Sequence, residues 1–174
     1  MGDHVILVNP EDQVIGQMEK IEAHEKGVLH RAFSIFLFNP EGETLIQQRA
    51  GSKYHSPLLW TNTCCSHPRV GETIQEAAKR RLTEELCLPK GIMLNESFSF
   101  IYKAKFSNNL IEHELDHVLI GEIENYNLSF NKDEINSVKW VSLGDLSTDI
   151  EKSPEEYTEW FKIILREYLN NISK

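Results

Sequence analysis

Trp60-Thr61-Asn62-Thr63-Cys64-Cys65-Ser66-His67-Pro68-Arg69-Val70-Gly71-Glu72 sets a thiol, an imidazole and a turn directly ahead of Thr73-Ile74-Gln75-Glu76, which has capping-box spacing. From there Ile74, Ala77, Ala78 and Leu82 recur at helical spacing and predict one apolar face. Arg81 and Glu85 lie one turn apart, off the core of that face. The run Arg80-Arg81-Leu82-Thr83-Glu84-Glu85-Leu86 ends the helix on two carboxylates. Reactive side chains therefore gather both before the helix and at its end.

Outward from this segment the pattern turns to strands. Residues 5–8 and 14–18 flank the turn Asn9-Pro10-Glu11-Asp12, and residues 32–38 and 44–49 repeat that design around Asn39-Pro40-Glu41-Gly42. Residues 98–106 and 115–123 read as longer strands around Ser107-Asn108-Asn109, and residues 138–143 as another. A second helix is expected from Ser153-Pro154, with Pro at its first position and Glu156 completing a capping box. Tyr157, Trp160, Phe161, Ile164, Leu165 and Tyr168 give it an apolar stripe. No repeat or linker divides the chain, so the expected class is α+β, a single domain over residues 1–174.

The whole chain has 174 residues, 40% hydrophobic and 26% charged, with a net charge of −9. A chain this long buries roughly 70% of its unfolded surface and needs no staples. The acidic balance argues against a nucleic-acid coat or an anionic-membrane binder, while leaving room for a local basic pocket. Cys64, Cys65 and Cys87 form no even framework, which fits a reducing cytosol. The start Met1-Gly2-Asp3-His4 lacks a basic n-region, and no apolar run approaches the ~20 residues of a membrane span. A cytoplasmic protein is expected.

Two further clusters carry chemistry. In Glu112-His113-Glu114, strand geometry points the two carboxylates to one face and the imidazole to the other. His24 and His30 precede the strand at 32–38. Imidazoles with paired carboxylates suit a divalent transition metal such as Zn²⁺ or Mn²⁺. Taken singly, each feature also fits a plain role: a surface histidine, a solvated strand face, a salt-bridged helix or a buried cysteine.

Taken together they match a pattern. Residues 66–88 resemble the Nudix box, with Glu72, Arg80, Leu82, Glu84, Glu85 and Leu88 in place. Ser66 and Cys87 stand where that box has glycines, and Arg81 replaces a metal-binding Glu. Those departures, with Leu29-His30-Arg31-Ala32-Phe33-Ser34, the Trp60–Pro68 segment and Glu112-His113-Glu114, make the chain similar to the type 1 isopentenyl-diphosphate delta-isomerase family.

The resemblance implies a Nudix-like mixed sheet flanked by helices, with residues 1–31 closing over the site. It implies a 1,3-proton shift between isopentenyl and dimethylallyl diphosphate, in isoprenoid biosynthesis, with Cys65 and Glu114 as proton-transfer groups and Tyr102 supporting Glu114. Which of the two donates stays open. It implies one Mn²⁺ or Zn²⁺ held by His24, His30, His67, Glu112 and Glu114. Mg²⁺ would arrive with the substrate diphosphate and meet Glu85 and the Cys65 carbonyl. Lys20, Arg49, Lys53 and Arg81 would contact the diphosphate, and Trp160 the hydrocarbon end. No flavin, nicotinamide, nucleic acid or membrane partner is implied, and a monomer is expected. A Nudix hydrolase, a binding module with a decayed box and a structural zinc domain are the rival readings. The box substitution at Arg81, the intact Cys65, Glu85, Glu112 and Glu114, and the missing closed four-ligand spacing count against them in turn.

Overall fold

The apolar run at residues 32–38 is the spine of a mixed sheet. The computed structural model describes residues 3–106, 108–124 and 128–173. Strand β3 (His30–Phe38) is almost wholly buried, as expected of a strand covered on both faces. Along one edge it pairs in parallel with β8 (Ile111–Glu122), in register from His30↔Glu114 to Phe38↔Glu122. Its other edge is shared in turn by β1 (His4–Val8) at His30, β6 (Cys64–Ser66) at residues 33–35 and β4 (Thr44–Arg49) at Phe38. β2 (Val14–Glu19) pairs with β1, and β7 (Leu94–Lys105) pairs with β8. β5 (Trp60–Thr61) and β9 (Ile135–Val141) flank β4.

Alternation along β3 sorts the two cores. Phe33, Ile35 and Leu37 face α2 (Ile74–Leu86), meeting its Ala77, Ala78, Leu82 and Leu86. Phe36 faces the opposite layer, where α4 (Glu159–Ile172) supplies Trp160, Phe161, Ile164, Leu165 and Tyr168. Each large side chain buried in this way contributes about 1.5–3 kcal/mol over exposure. The result is the expected α+β class, a sheet between helical layers. Thr73 and Glu76 form the complete reciprocal capping box on α2.

Several sequence expectations need correcting. Two helices were expected, and the described residues hold four α-helices. Helix α1 (Lys20–Lys26) is short, capped by Glu19 and closed by Gly27 at φ 62, a left-handed conformation that favours glycine. Helix α3 (Leu143–Lys152) starts at residues assigned to the end of a strand, because the Ser142 side chain accepts from Asp145 N and caps it. The last helix does not start at Ser153. Pro154–Glu156 form one 3₁₀ turn without a side-chain cap bond, and the chain is extended at Tyr157. There Tyr157 bridges Trp60 and Thr158 N donates to Trp60 O at 3.0 Å, so α4 is capped by Thr158 instead. Strand β7 begins four residues earlier than expected, and Ser107 of the expected turn lies outside the described residues.

Candidate active site

Residues in register on neighbouring strands present side chains to the same face. Register therefore lines up His30, Glu114 and Tyr102 across β3, β8 and β7. Two steps along the sheet lies Asp116 beside Ala32, and two further Ser34, whose partner on β6 is Cys65. The same alternation sends Cys64 into the α2-side core, fully buried, and leaves Cys65 on the active face. His113 likewise points away from Glu112 and Glu114, its Nδ1 lying 3.0 Å from Gly27 O.

Three imidazoles converge here. His24 Nδ1 lies 2.6 Å from Lys20 O and His30 Nδ1 lies 2.8 Å from Val28 O. A carbonyl only accepts, so each Nδ1 carries the proton and each Nε2 is left with a free lone pair, the arrangement of a metal-binding histidine. His30 Nε2 is 3.2 Å from His67 Nε2, which is 2.9 Å from Glu114 Oε1. Burial pushes His24 down and His67 down to about 3, so both rings stand neutral. One ligand atom each from His24, His30, His67 and Glu114 lies within 4.8 Å of the others. Ligands around a centre with bonds of about 2.0–2.2 Å sit roughly 3.3–4.4 Å apart, so small shifts that open the shortest separations and close the longest would complete the shell. The donor set fits one transition-metal ion.

Glu112 lies outside that group of four. Tyr102 Oη reaches Glu112 Oε2 at 3.0 Å and Glu114 Oε2 at 2.7 Å, donating its single proton between two buried carboxyls. Burial and the neighbouring Glu114 charge push Glu112 well above the ordinary carboxylate range. Burial opposes ionisation of Glu114 too, but the His30 and His67 rings beside it more than offset this and hold Glu114 well below that range.

A cavity open to solvent on one side, its empty space about 730 Å³ with the open solvent included, joins these groups to the cations. Lys20, Arg49, Lys53, Arg81, Glu85 and Trp160 all line it, with Cys65, Glu112, Glu114 and Tyr102. His30 stands behind the lining, fully buried. Burial pushes Lys20 and Arg49 below their ordinary values, and neither has a carboxylate ion pair among the described residues. Half-buried cations without carboxylate partners suit an anion. Glu85 comes from the end of α2, is 5% exposed, pairs with Arg81 and accepts from Gln47 Nε2 at 2.8 Å. Glu85 and Cys65 both line the cavity, and a buried carboxylate there suits a hard cation such as Mg²⁺, which takes few protein oxygens and keeps phosphate oxygens as ligands.

Several site residues have no place in the sequence expectations. Cys65 Sγ donates to Asn62 Oδ1 at 2.7 Å and lies 3.5 Å from Ser34 Oγ, which donates to Asp116 Oδ2 at 2.7 Å. Burial, aided by the Asp116 charge, pushes the Cys65 thiol up. Asp116 continues the period-two series Glu112, Glu114, and that alternation was readable. Ser34 is the one polar break within the apolar run 32–38. Tyr54, His55 and Phe106 gather around Trp160, with His55 5.4 Å from Phe106 and 5.5 Å from Trp160. The Arg49 guanidinium lies over the Trp160 ring at 5.1 Å. Trp60 lies outside this lining, with Lys139 over its ring at 4.4 Å.

Comparisons with known proteins bear on the family and the fold. The NUDIX domain model matches residues 28–161. The chain is 48% identical over 165 residues to isopentenyl-diphosphate delta-isomerase 2 of Photorhabdus laumondii, covering 95% of this chain and 92% of that one. It is 45% identical over 174 residues to an isopentenyl-diphosphate delta-isomerase of Photobacterium profundum, covering 98% and 97%. Among solved structures, the fold is similar to DR0079 of Deinococcus radiodurans, with a TM-score of 0.78 at 24% identity over 95% of this chain and 98% of that one. A MutT protein of Methanosarcina mazei shares it with a TM-score of 0.67 at 14% identity, over 84% and 96%.

Proposed function

The chain belongs to the isopentenyl-diphosphate delta-isomerases of the NUDIX superfamily, and we propose that its cavity carries out that 1,3-proton shift with Cys65 and Glu114 as the proton-transfer pair. The observation that carries the reading is one cavity lined by both groups and by Lys20 and Arg49, two half-buried cations without carboxylate partners among the described residues. The enzyme interconverts isopentenyl and dimethylallyl diphosphate in isoprenoid biosynthesis.

An unactivated alkene must gain a proton at one carbon and lose one at another, through a species resembling a tertiary cation that water would trap. Burial keeps Cys65 a thiol, while the neighbouring imidazoles keep Glu114 ionised, so the pair offers one proton and one vacancy. Each turnover inverts that state, and solvent exchange or the reverse turnover restores it. Tyr102 holds Glu114 in place and shares its proton with Glu112. Trp160, with Phe106 and His55 around it, walls the hydrocarbon end, where an aromatic face stabilises positive charge by about 0.5–2 kcal/mol. Lys20, Arg49, Lys53 and Arg81 take the diphosphate and fix the allylic carbons relative to the pair. His24, His30, His67 and Glu114 would hold Zn²⁺ or Mn²⁺, with Glu112 beside them, and Glu85 with the Cys65 carbonyl would hold Mg²⁺. Such ions would orient Glu114 and neutralise phosphate charge.

The N-terminal segment to residue 31 brings Lys20 and His24 to the cavity, which supports its closing over bound substrate. Closure predicts slower proteolysis of this segment with substrate present, and equal cleavage with and without it would count against closure. No helix among the described residues is long and apolar enough to cross a membrane. Proton NMR with isopentenyl diphosphate, Mg²⁺ and D₂O tests the activity. Deuterated dimethylallyl diphosphate without flavin or nicotinamide is the expected product, and released phosphate would favour hydrolysis instead.

A further inference from the structure

Two of the four cavity cations are already engaged, and by the same carboxylate. Glu134 Oε2 pairs closely with Lys53 Nζ and lies 3.5 Å from Arg81 Nη2. Lys20 and Arg49 have no such partner among the described residues. Glu134 lines both the main cavity and the adjoining recess that holds Lys20, Lys53, Arg69, Arg80 and Arg81. Its position is set by the backbone: Glu134 N donates to Asn131 O and Ala50 N donates to Glu134 O, both at 3.0 Å, while Asn131 N donates to Glu85 O at 2.8 Å. The short loop before β9 is thus tied to the end of α2 and to the turn carrying Lys53. Burial works against the charge of Glu134, but Lys53 and Arg81 more than offset it and hold the carboxyl below its ordinary range. The side chain keeps 24% of its surface exposed, so a displaced carboxylate can be hydrated where it stands.

We propose that Glu134 is a gate residue, an internal anion seated on Lys53 and Arg81 that an incoming diphosphate must displace. The proposal rests on the reading of the four cations as the diphosphate site. The exchange is anion for anion: the Lys53–Glu134 and Arg81–Glu134 pairs break, and both cations pair with phosphoryl oxygens. A diphosphate offers more charge and more acceptor oxygens than a carboxylate, and therefore wins both cations where a singly charged anion does not. The same carboxylate competes with product, whose diphosphate is identical, and so shortens its residence.

Removing the charge therefore strengthens binding, the opposite of what a residue that merely arranges Lys53 and Arg81 would do. Titration calorimetry of inorganic diphosphate into metal-replete wild type, Glu134→Gln and Glu134→Asp, at one fixed Mg²⁺ concentration, reads the sign. Glu134→Gln is expected to bind roughly threefold to tenfold more tightly, the scale of one or two half-exposed ion pairs, with Glu134→Asp near wild type. KM for isopentenyl diphosphate falls in parallel in Glu134→Gln, while kcat does not rise. Unchanged or weaker binding by Glu134→Gln would overturn the gate and leave Glu134 a structural brace. If the wild type itself binds no diphosphate, the reading of the cations fails, and the gate with it. Glu134→Ser, neutral and smaller, gives the same test should Glu134→Gln not fold.

Discussion

Cys64 and Cys65 are chemically alike and adjacent, and strand alternation alone separates them. One is packed against the α2 layer and the other lies on the active face between Ser34 and Asn62. Cys65→Ser is expected to lower kcat by about 10²–10⁴, the range of a lost proton-transfer group, with Tm within a degree or so of wild type. A near-wild-type rate in the D₂O assay would remove Cys65 from the mechanism. His55 supports a different prediction. Burial first, then the Arg49 charge, push its pKa down to about 3, against about 6.5 in an unfolded chain. Between those values the unfolded chain binds a proton that the folded protein refuses, so stability is complete above the upper value and falls as pH drops toward the lower one. His55→Phe should flatten the acid side of a Tm-against-pH curve, and an unchanged slope would show that His55 does not contribute. Cys65, His67 and Glu114 were legible as residues because their motifs are local. Asn62, Ser34, His55 and Glu134 were not, because their roles depend on what the fold brings against them.

At the level of elements, β3, β4 and α2 were readable from periodicity and capping signals, since their apolar faces meet continuous cores. Helix α4 was misplaced at its start. Ser153-Pro154 and Glu156 satisfy the local rule, yet the Trp60–Tyr157 bridge holds the intervening backbone extended and hands the cap to Thr158. Tertiary pairing overrode a local signal. Thr158 Oγ1 accepts from Phe161 N at 3.3 Å and donates to Thr61 Oγ1 at 3.2 Å, so it fixes both the helix and the strand before the site. Thr158→Ala should lower stability by about 1–2 kcal/mol, a drop of roughly 2–8 °C in Tm by thermal denaturation. An unaltered Tm would mean that Thr61 and water replace the cap. Helix α1 escaped notice because seven residues with Ala23 and His24 buried give too short a pattern. Its end was nonetheless marked by Gly27.

For the molecule as a whole, a net charge of −9 coexists with a cavity that gathers four cations, because the two quantities are independent. The buried imidazole cluster ties α1, β3, the loop after β6 and β8 to one point. An ion bound there favours only the folded state, so chelation should lower Tm by several degrees and Zn²⁺ or Mn²⁺ should restore it. A Tm indifferent to chelator would argue against a resident ion. The parallel pairing of β3 with β8 has a consequence for biogenesis. His24, His30 and His67 leave the ribosome well before Glu114, and β8 must emerge completely before it can lie along β3. The nascent chain therefore carries its three imidazoles through much of translation without Glu114, and a metal site built from all four would stay incomplete until β8 has emerged and paired with β3.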